Sequence, residues 1–169
     1  MGGAAASAAL ISGCFSRRTS WEFFTESEAR ALTVLCDQVV PADDFPSASQ
    51  AGVLSYVDRQ LVRHYEQHQK AYREGLMLAD QLSKSRFGAD LTGISPIHQL
   101  EIAVELERKS PAFFELVRSH TLQGYYGSPR HGGNRDAVSW RMLGLDAPPL
   151  RGRAQYDLTG RGSTAGPKS

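Results

Sequence analysis

Two histidines spaced one helical turn apart, His64-Tyr65-Glu66-Gln67-His68, are the side chains here whose types and spacing come nearest to metal chemistry. A zinc-protease helix places its glutamate directly after the first histidine, where it reaches the metal-bound water. Here Glu66 comes one residue later and points to another side of the helix, which excludes that chemistry. What remains is a bare two-histidine site with no identifiable third ligand, or a solvated helix face shared with Gln67, Lys70 and Arg73. Asp43-Asp44 offers two carboxylates, but adjacent side chains diverge, and an acidic pair after a proline makes a turn. Ser128, in Gly127-Ser128-Pro129, lacks the strand–turn–helix setting that exposes a serine nucleophile. Gly132-Gly133-Asn134 could present successive amides to an anion, yet no P-loop and no dinucleotide-binding glycine pattern surrounds it. Its glycines also fit a plainer role, supplying unusual backbone angles before Asn134 caps a short helix.

The elements that must carry these residues are helical. Thr25-Glu26-Ser27-Glu28 is a capping box, and Ala29, Leu32, Leu35, Cys36 and Val39 follow at helical spacing, predicting a helix from about Thr25 to Val40. Pro41 stops it, and the turn-rich connector PADDFPSASQAG offers Ser and Asp side chains to cap the next helix. Val53, Leu54, Val57, Leu61 and Val62 predict that helix. Tyr65, Tyr72, Leu76, Met77, Ala79 and Leu82 extend a further one to about Phe87, where Gly88 ends it. Ser95-Pro96 and Ser110-Pro111 start two more, with serine as cap and proline at the first helical position. Their expected apolar faces are Ile97, Leu100, Ala103, Val104 and Leu106, then Phe113, Phe114, Val117 and Leu122. Val138, Met142 and Leu143 pack down a short last helix that Gly144 ends. The fold class is all-α: a compact single domain of five to six helices with a Gly-rich loop, a short C-terminal helix and disordered termini. Residues 1–21 form a signal-like N-terminus, 22–150 the helical domain, and 151–169 a flexible Arg/Gly-rich tail.

The chain's 169 residues and 41% hydrophobic content suffice for one core, and its net charge of +1 gives no global attraction to nucleic acid. The charge is unevenly placed. Of the 19 basic and 18 acidic residues, 11 and 15 lie in 1–117, whereas 8 and 3 lie in 118–169, where every cation but Lys168 is arginine. Two cysteines make no disulfide framework. Cys36 reads as a small core hydrophobe. Ile11-Ser12-Gly13-Cys14, after an apolar run too short to span a bilayer, resembles the lipobox at which lipoprotein precursors are cut and acylated, so Cys14 is the lipidation candidate and export is expected.

The stretch YYGSPRHGGNRDAVSWRMLGLDAPP resembles the C-terminal signature of the gluconate 2-dehydrogenase subunit 3 family, and VLCDQVVPADDFPSASQAGVLSYVDRQL is similar to that family's early segment. The resemblance covers about residues 22–150. It implies a non-catalytic small subunit that binds, stabilises and helps export a large subunit of the glucose-methanol-choline (GMC) type. That large subunit would carry FAD and act on gluconate, a sugar or an alcohol, with electrons passing to a multihaem cytochrome c subunit. This chain would hold no cofactor, having neither C-x-x-C-H for haem nor an FAD fingerprint. Its location would be the periplasmic side of the bacterial cytoplasmic membrane, reached through the partner or a lipid anchor. Family members often carry a twin-arginine signal ahead of an apolar run, whereas Arg17-Arg18 follow it here. Tyr125, Tyr126, Arg130, His131, Asn134, Arg135 and Trp140 are the residue types that dominate protein–protein contacts and form the candidate partner interface. Two other readings stay open: an envelope lipoprotein with an unrelated partner, and a small metal protein using His64 and His68, or His131 with Asp136.

Overall fold

A computed structural model describes residues 21–145. Among them every regular element is helical: α1 (Glu26–Val39), α2 (Val53–Leu61), α3 (Gln69–Phe87), α4 (Pro96–Lys109), α5 (Pro111–Tyr126) and α6 (Val138–Met142). Single 3₁₀ turns at Glu66–His68, Pro129–His131 and Arg135–Ala137 join them. Cys14 and the Arg/Gly-rich tail lie outside the described residues.

The capping box forms as the sequence dictates. Glu28 N–H donates to Thr25 Oγ1 (3.3 Å), and Thr25 N–H donates back to Glu28 Oε2 (2.9 Å), so two amides of the first turn find partners. Ser95 caps α4 through His98 N–H. Ser110 stands at the N-cap of α5 but its side chain makes no capping hydrogen bond, contrary to the expectation; the same residue also ends α4. Nor does a Ser or Asp side chain cap α2, whose first turn follows Gly52 in the left-handed conformation. The largest departure concerns the histidines between α2 and α3. His64 stands exposed in a turn and His68 in a 3₁₀ turn, so the two do not share a helical face.

Helix α5 is the hub, touching every other α-helix. Its buried face, Phe113, Val117, His120, Thr121, Gly124 and Tyr125, meets a core built from Leu32, Leu35, Val57, Leu61, Tyr72, Leu76, Ile102 and Leu106. Each such aliphatic side chain contributes about 1.5–3 kcal/mol by leaving water. Cys36 is fully buried, accepts a hydrogen bond from Thr121 Oγ1 (3.2 Å), and has its thiol pushed up to about 12 by burial. The α4 stripe runs differently from the expectation. Ile97, Leu100 and Val104 point to solvent, because Ile102, Ala103 and Leu106 already fill the contact with α3 and α5. Leu143 is exposed as well.

A buried carboxylate ties down the chain ahead of α1. Asp58, on the inner face of α2, accepts from the backbone N–H groups of Glu22 (2.7 Å), Phe23 (2.9 Å) and Phe24 (3.1 Å). Arg73 of α3 closes the same corner, pairing with Glu28, donating to Phe23 O (2.8 Å) and lying 4.1 Å over the Phe23 ring.

Candidate functional site

The glycine-rich segment is a rigid surface built on α2 and α5. As α5 ends, Tyr125 turns inward and its hydroxyl donates to Pro46 O (2.8 Å) in the α1–α2 connector. Burial raises its phenol above the ordinary range, helped by Tyr126 and Asp43. Ten residues on, Arg135 N–H donates to Ala51 O (2.8 Å), so the connector and the late segment are stitched at two points. Gly133 makes this approach possible, since a Cβ there would lie 2.2 Å from Gly124 O. Gly52 and Gly132 meet in the same seam, both at positive φ, with a Cβ on Gly52 falling 3.1 Å from Gly132 O.

Asn134 is the internal brace. It is fully buried, its Nδ2 donates to Gly127 O (2.8 Å), and its Oδ1 accepts from Ser139 N–H (3.0 Å) in the first turn of α6. It thus satisfies a helix N-terminal amide from four residues before α6 begins. Asn134, Asp136 and Ala137 all hold positive φ, between 46° and 56°. For the latter two this costs on the order of 1 kcal/mol each, offset by the surrounding hydrogen bonds. Arg141 reaches back to Asp136 O, and Trp140 Nε1 donates to Tyr126 O (3.0 Å), closing α6 onto the end of α5.

This architecture sorts the sequence-derived residues. Tyr125 and Asn134 build the loop from inside, Trp140 is half-buried, and Tyr126, Arg130, His131 and Arg135 face solvent. Arg130 Nε donates to His131 Nε2 (3.0 Å), so these two side chains order each other on the rim. Asp136 is exposed beside them. His64, His68 and His131 do not converge, and among the described residues no group of three or more His, Cys, Asp or Glu side chains is placed to hold a metal ion.

A family model for gluconate 2-dehydrogenase subunit 3 matches residues 26–146, most of the chain. The chain belongs to that family. No curated protein and no solved structure matches it. The match takes in the early block and the late block as far as residue 146, and the structure folds the two against each other. Membership places the chain among the subunits of gluconate dehydrogenase complexes; among its described residues, no helix is long and apolar enough to cross a membrane.

Sequence reasoning passed over two features. Arg59 of α2 lies against the glycine loop, its Nη1 3.0 Å from where a Cβ on Gly132 would stand. A second cluster joins α5 to the α2–α3 break: the His120 ring stacks on Tyr65 at 4.4 Å and on Tyr72 at 5.9 Å, with its Nδ1 3.0 Å from the Tyr72 hydroxyl. The hydroxyls of Tyr65 (2.7 Å) and Tyr56 (3.2 Å) both donate to Gln123 Oε1. Burial, and behind it the His68 ring 5.6 Å away, depresses the His120 imidazole to about 4, so it is neutral at physiological pH. The signal was present: His120 and Gly124 continue the Phe113–Val117 face at helical spacing.

Proposed function

We propose that this protein is the non-catalytic small subunit of an FAD-dependent GMC-type sugar, alcohol or gluconate dehydrogenase, and that it binds and stabilises the large subunit and accompanies it to the periplasmic side of the membrane. FAD and the substrate pocket belong to the large subunit, and a multihaem cytochrome c subunit takes the electrons onward. One observation carries the proposal: the two segments typical of the family pack into a single braced surface that exposes Tyr126, Arg130, His131 and Arg135, residue types suited to protein recognition. A subunit that binds only the folded form of its partner stabilises it by mass action, by about 2.7 kcal/mol at a hundredfold excess over Kd.

The test is purification of a tagged copy from its native cell envelope in mild detergent. A co-purifying large chain absorbing near ~450 nm, as an oxidised flavin does, is the expected result. A colourless single chain would refute the proposal. Trp140→Ala and Arg135→Glu should each lower the yield of the complex while leaving helical content unchanged. An undiminished yield in both would place the contact elsewhere.

A further inference from the structure

Among the described residues, five cations sit in ion pairs. Lys70, Arg73, Arg86, Lys109 and Arg118 each pair with a glutamate on helices α1, α3, α4 and α5. Arg30, Arg63, Lys84 and Arg108 are in no ion pair but are scattered along the chain, whereas around the glycine loop such arginines cluster. Arg59, Arg130, Arg135 and Arg141 come together there, and among the described residues none of the four makes an ion pair. Asp136 is the one carboxylate within the loop itself, and Arg141 takes that residue's backbone oxygen instead of its side chain. Asp43, in the neighbouring connector, turns its carboxylate to the N–H of Phe45.

Two of these guanidinium groups are hydrogen-bonded and two lie against the glycine seam. Arg59 lies against Gly132, the Arg135 side chain is 3.6 Å from where a Cβ on Gly52 would stand, Arg130 is fixed to His131, and Arg141 is fixed to the loop backbone. Gathering like charges on a preorganised surface is unfavourable in the free subunit and becomes favourable when a complementary set of anions meets it. All four are arginines, whose planar forks match carboxylates two bonds at a time, and Tyr126 and Trp140 stand beside them to fill the spaces between. A lipid headgroup layer needs only mobile charge and no fixed geometry. The fixed forks favour a protein surface.

We infer that Arg59, Arg130, Arg135 and Arg141 form a docking face for a cluster of aspartate and glutamate side chains on the protein partner. The inference rests on the accessory-subunit reading and adds the chemistry of recognition, including one residue, Arg59, from outside the late block. Assembly through such a face is steered by charge and weakens as salt rises.

The experiment captures the flavoprotein on the tagged full-length chain at increasing sodium chloride, comparing the wild type with Arg59→Glu, Arg141→Glu and the control Arg118→Glu, which makes the same charge change on the ion-paired face. Circular dichroism checks that each variant is folded. Expected is a roughly tenfold loss of captured flavoprotein for Arg59→Glu and for Arg141→Glu, little change for Arg118→Glu, and a steady fall with salt for the wild type. Equal capture by all four proteins, or capture indifferent to salt, would overturn the acidic-partner inference while leaving the accessory role standing. No flavoprotein on the wild type would overturn both. If the Arg59 and Arg141 variants keep the flavoprotein but lose binding to vesicles of phosphatidylcholine and phosphatidylglycerol, the face belongs to the membrane and the inference is wrong.

Discussion

His120 gives the most quantitative handle on the structure. Its imidazole is buried between Tyr65 and Tyr72 and titrates at about 4 in the folded chain, against 6.5 when unperturbed. Between those two pH values the unfolded chain binds a proton that the folded chain refuses, so stability rises with pH across the window. The contribution is fully present above pH 6.5, is lost as pH falls, and is gone below pH 4. The gap corresponds to about 3 kcal/mol, of which about 2 kcal/mol has disappeared at pH 5. For a domain of this size that is a drop in Tm of about 8 °C. The assay is urea denaturation followed by circular dichroism from pH 7 to pH 5, on the wild type and on His120→Gln, which keeps a polar partner for Tyr72 but cannot titrate in this range. The carboxylates common to both proteins cancel in the difference. The wild type should lose about 2 kcal/mol more than the variant. Equal slopes, or a His120 ring signal that titrates near 6.5 by NMR, would refute the reasoning.

Gly133→Ala should cost about 3 kcal/mol, the upper end of overpacking, because its Cβ would meet the backbone oxygen of Gly124 and neither side can yield cheaply. Gly88→Ala, in open space at φ 76°, should cost only about 1 kcal/mol, and the same urea titration compares them. Asp58→Ala strands three backbone N–H groups and should cost at least about 3 kcal/mol, with Trp21 fluorescence reporting the loosened N-terminal segment. In a Cys14→Ser background, Cys36 should resist alkylation at pH 8 until denaturant is added, because its thiol is buried and pushed up to about 12.

The helix starts were readable wherever the signal is local. Thr25 with Glu28, Pro96 and Pro111 mark them because capping and ring geometry act within one turn of chain. A boundary after Val62 was readable, but the length of the break was not, and it is this that takes His64 and His68 off a shared helix. No glycine or proline interrupts residues 62–68, and the contact made within the break, Tyr65 stacked on His120, joins residues 55 apart in sequence. Ile97, Leu100 and Val104 show the same limit, since periodicity finds an apolar stripe but cannot say which side of α4 the other helices occupy. At the candidate site, residue types singled out the glycine-rich loop, yet they could not separate Asn134 and Tyr125, which build it, from Arg130 and Arg135, which face outward. Arg59 went unseen because its place there depends on how α2 docks.

The stitching of the late segment onto the connector also decides what kind of epitope it is. Arg135 depends on Ala51, Tyr125 on Pro46, and Gly132 on the space left by Gly52, so the presented surface is discontinuous and exists only once α2 and α5 have met. A synthetic peptide spanning residues 125–140 would lack those supports and should not compete for a partner. Whatever binds this face therefore inspects finished tertiary structure rather than a linear word, and a half-folded subunit is passed over without any separate proofreading step.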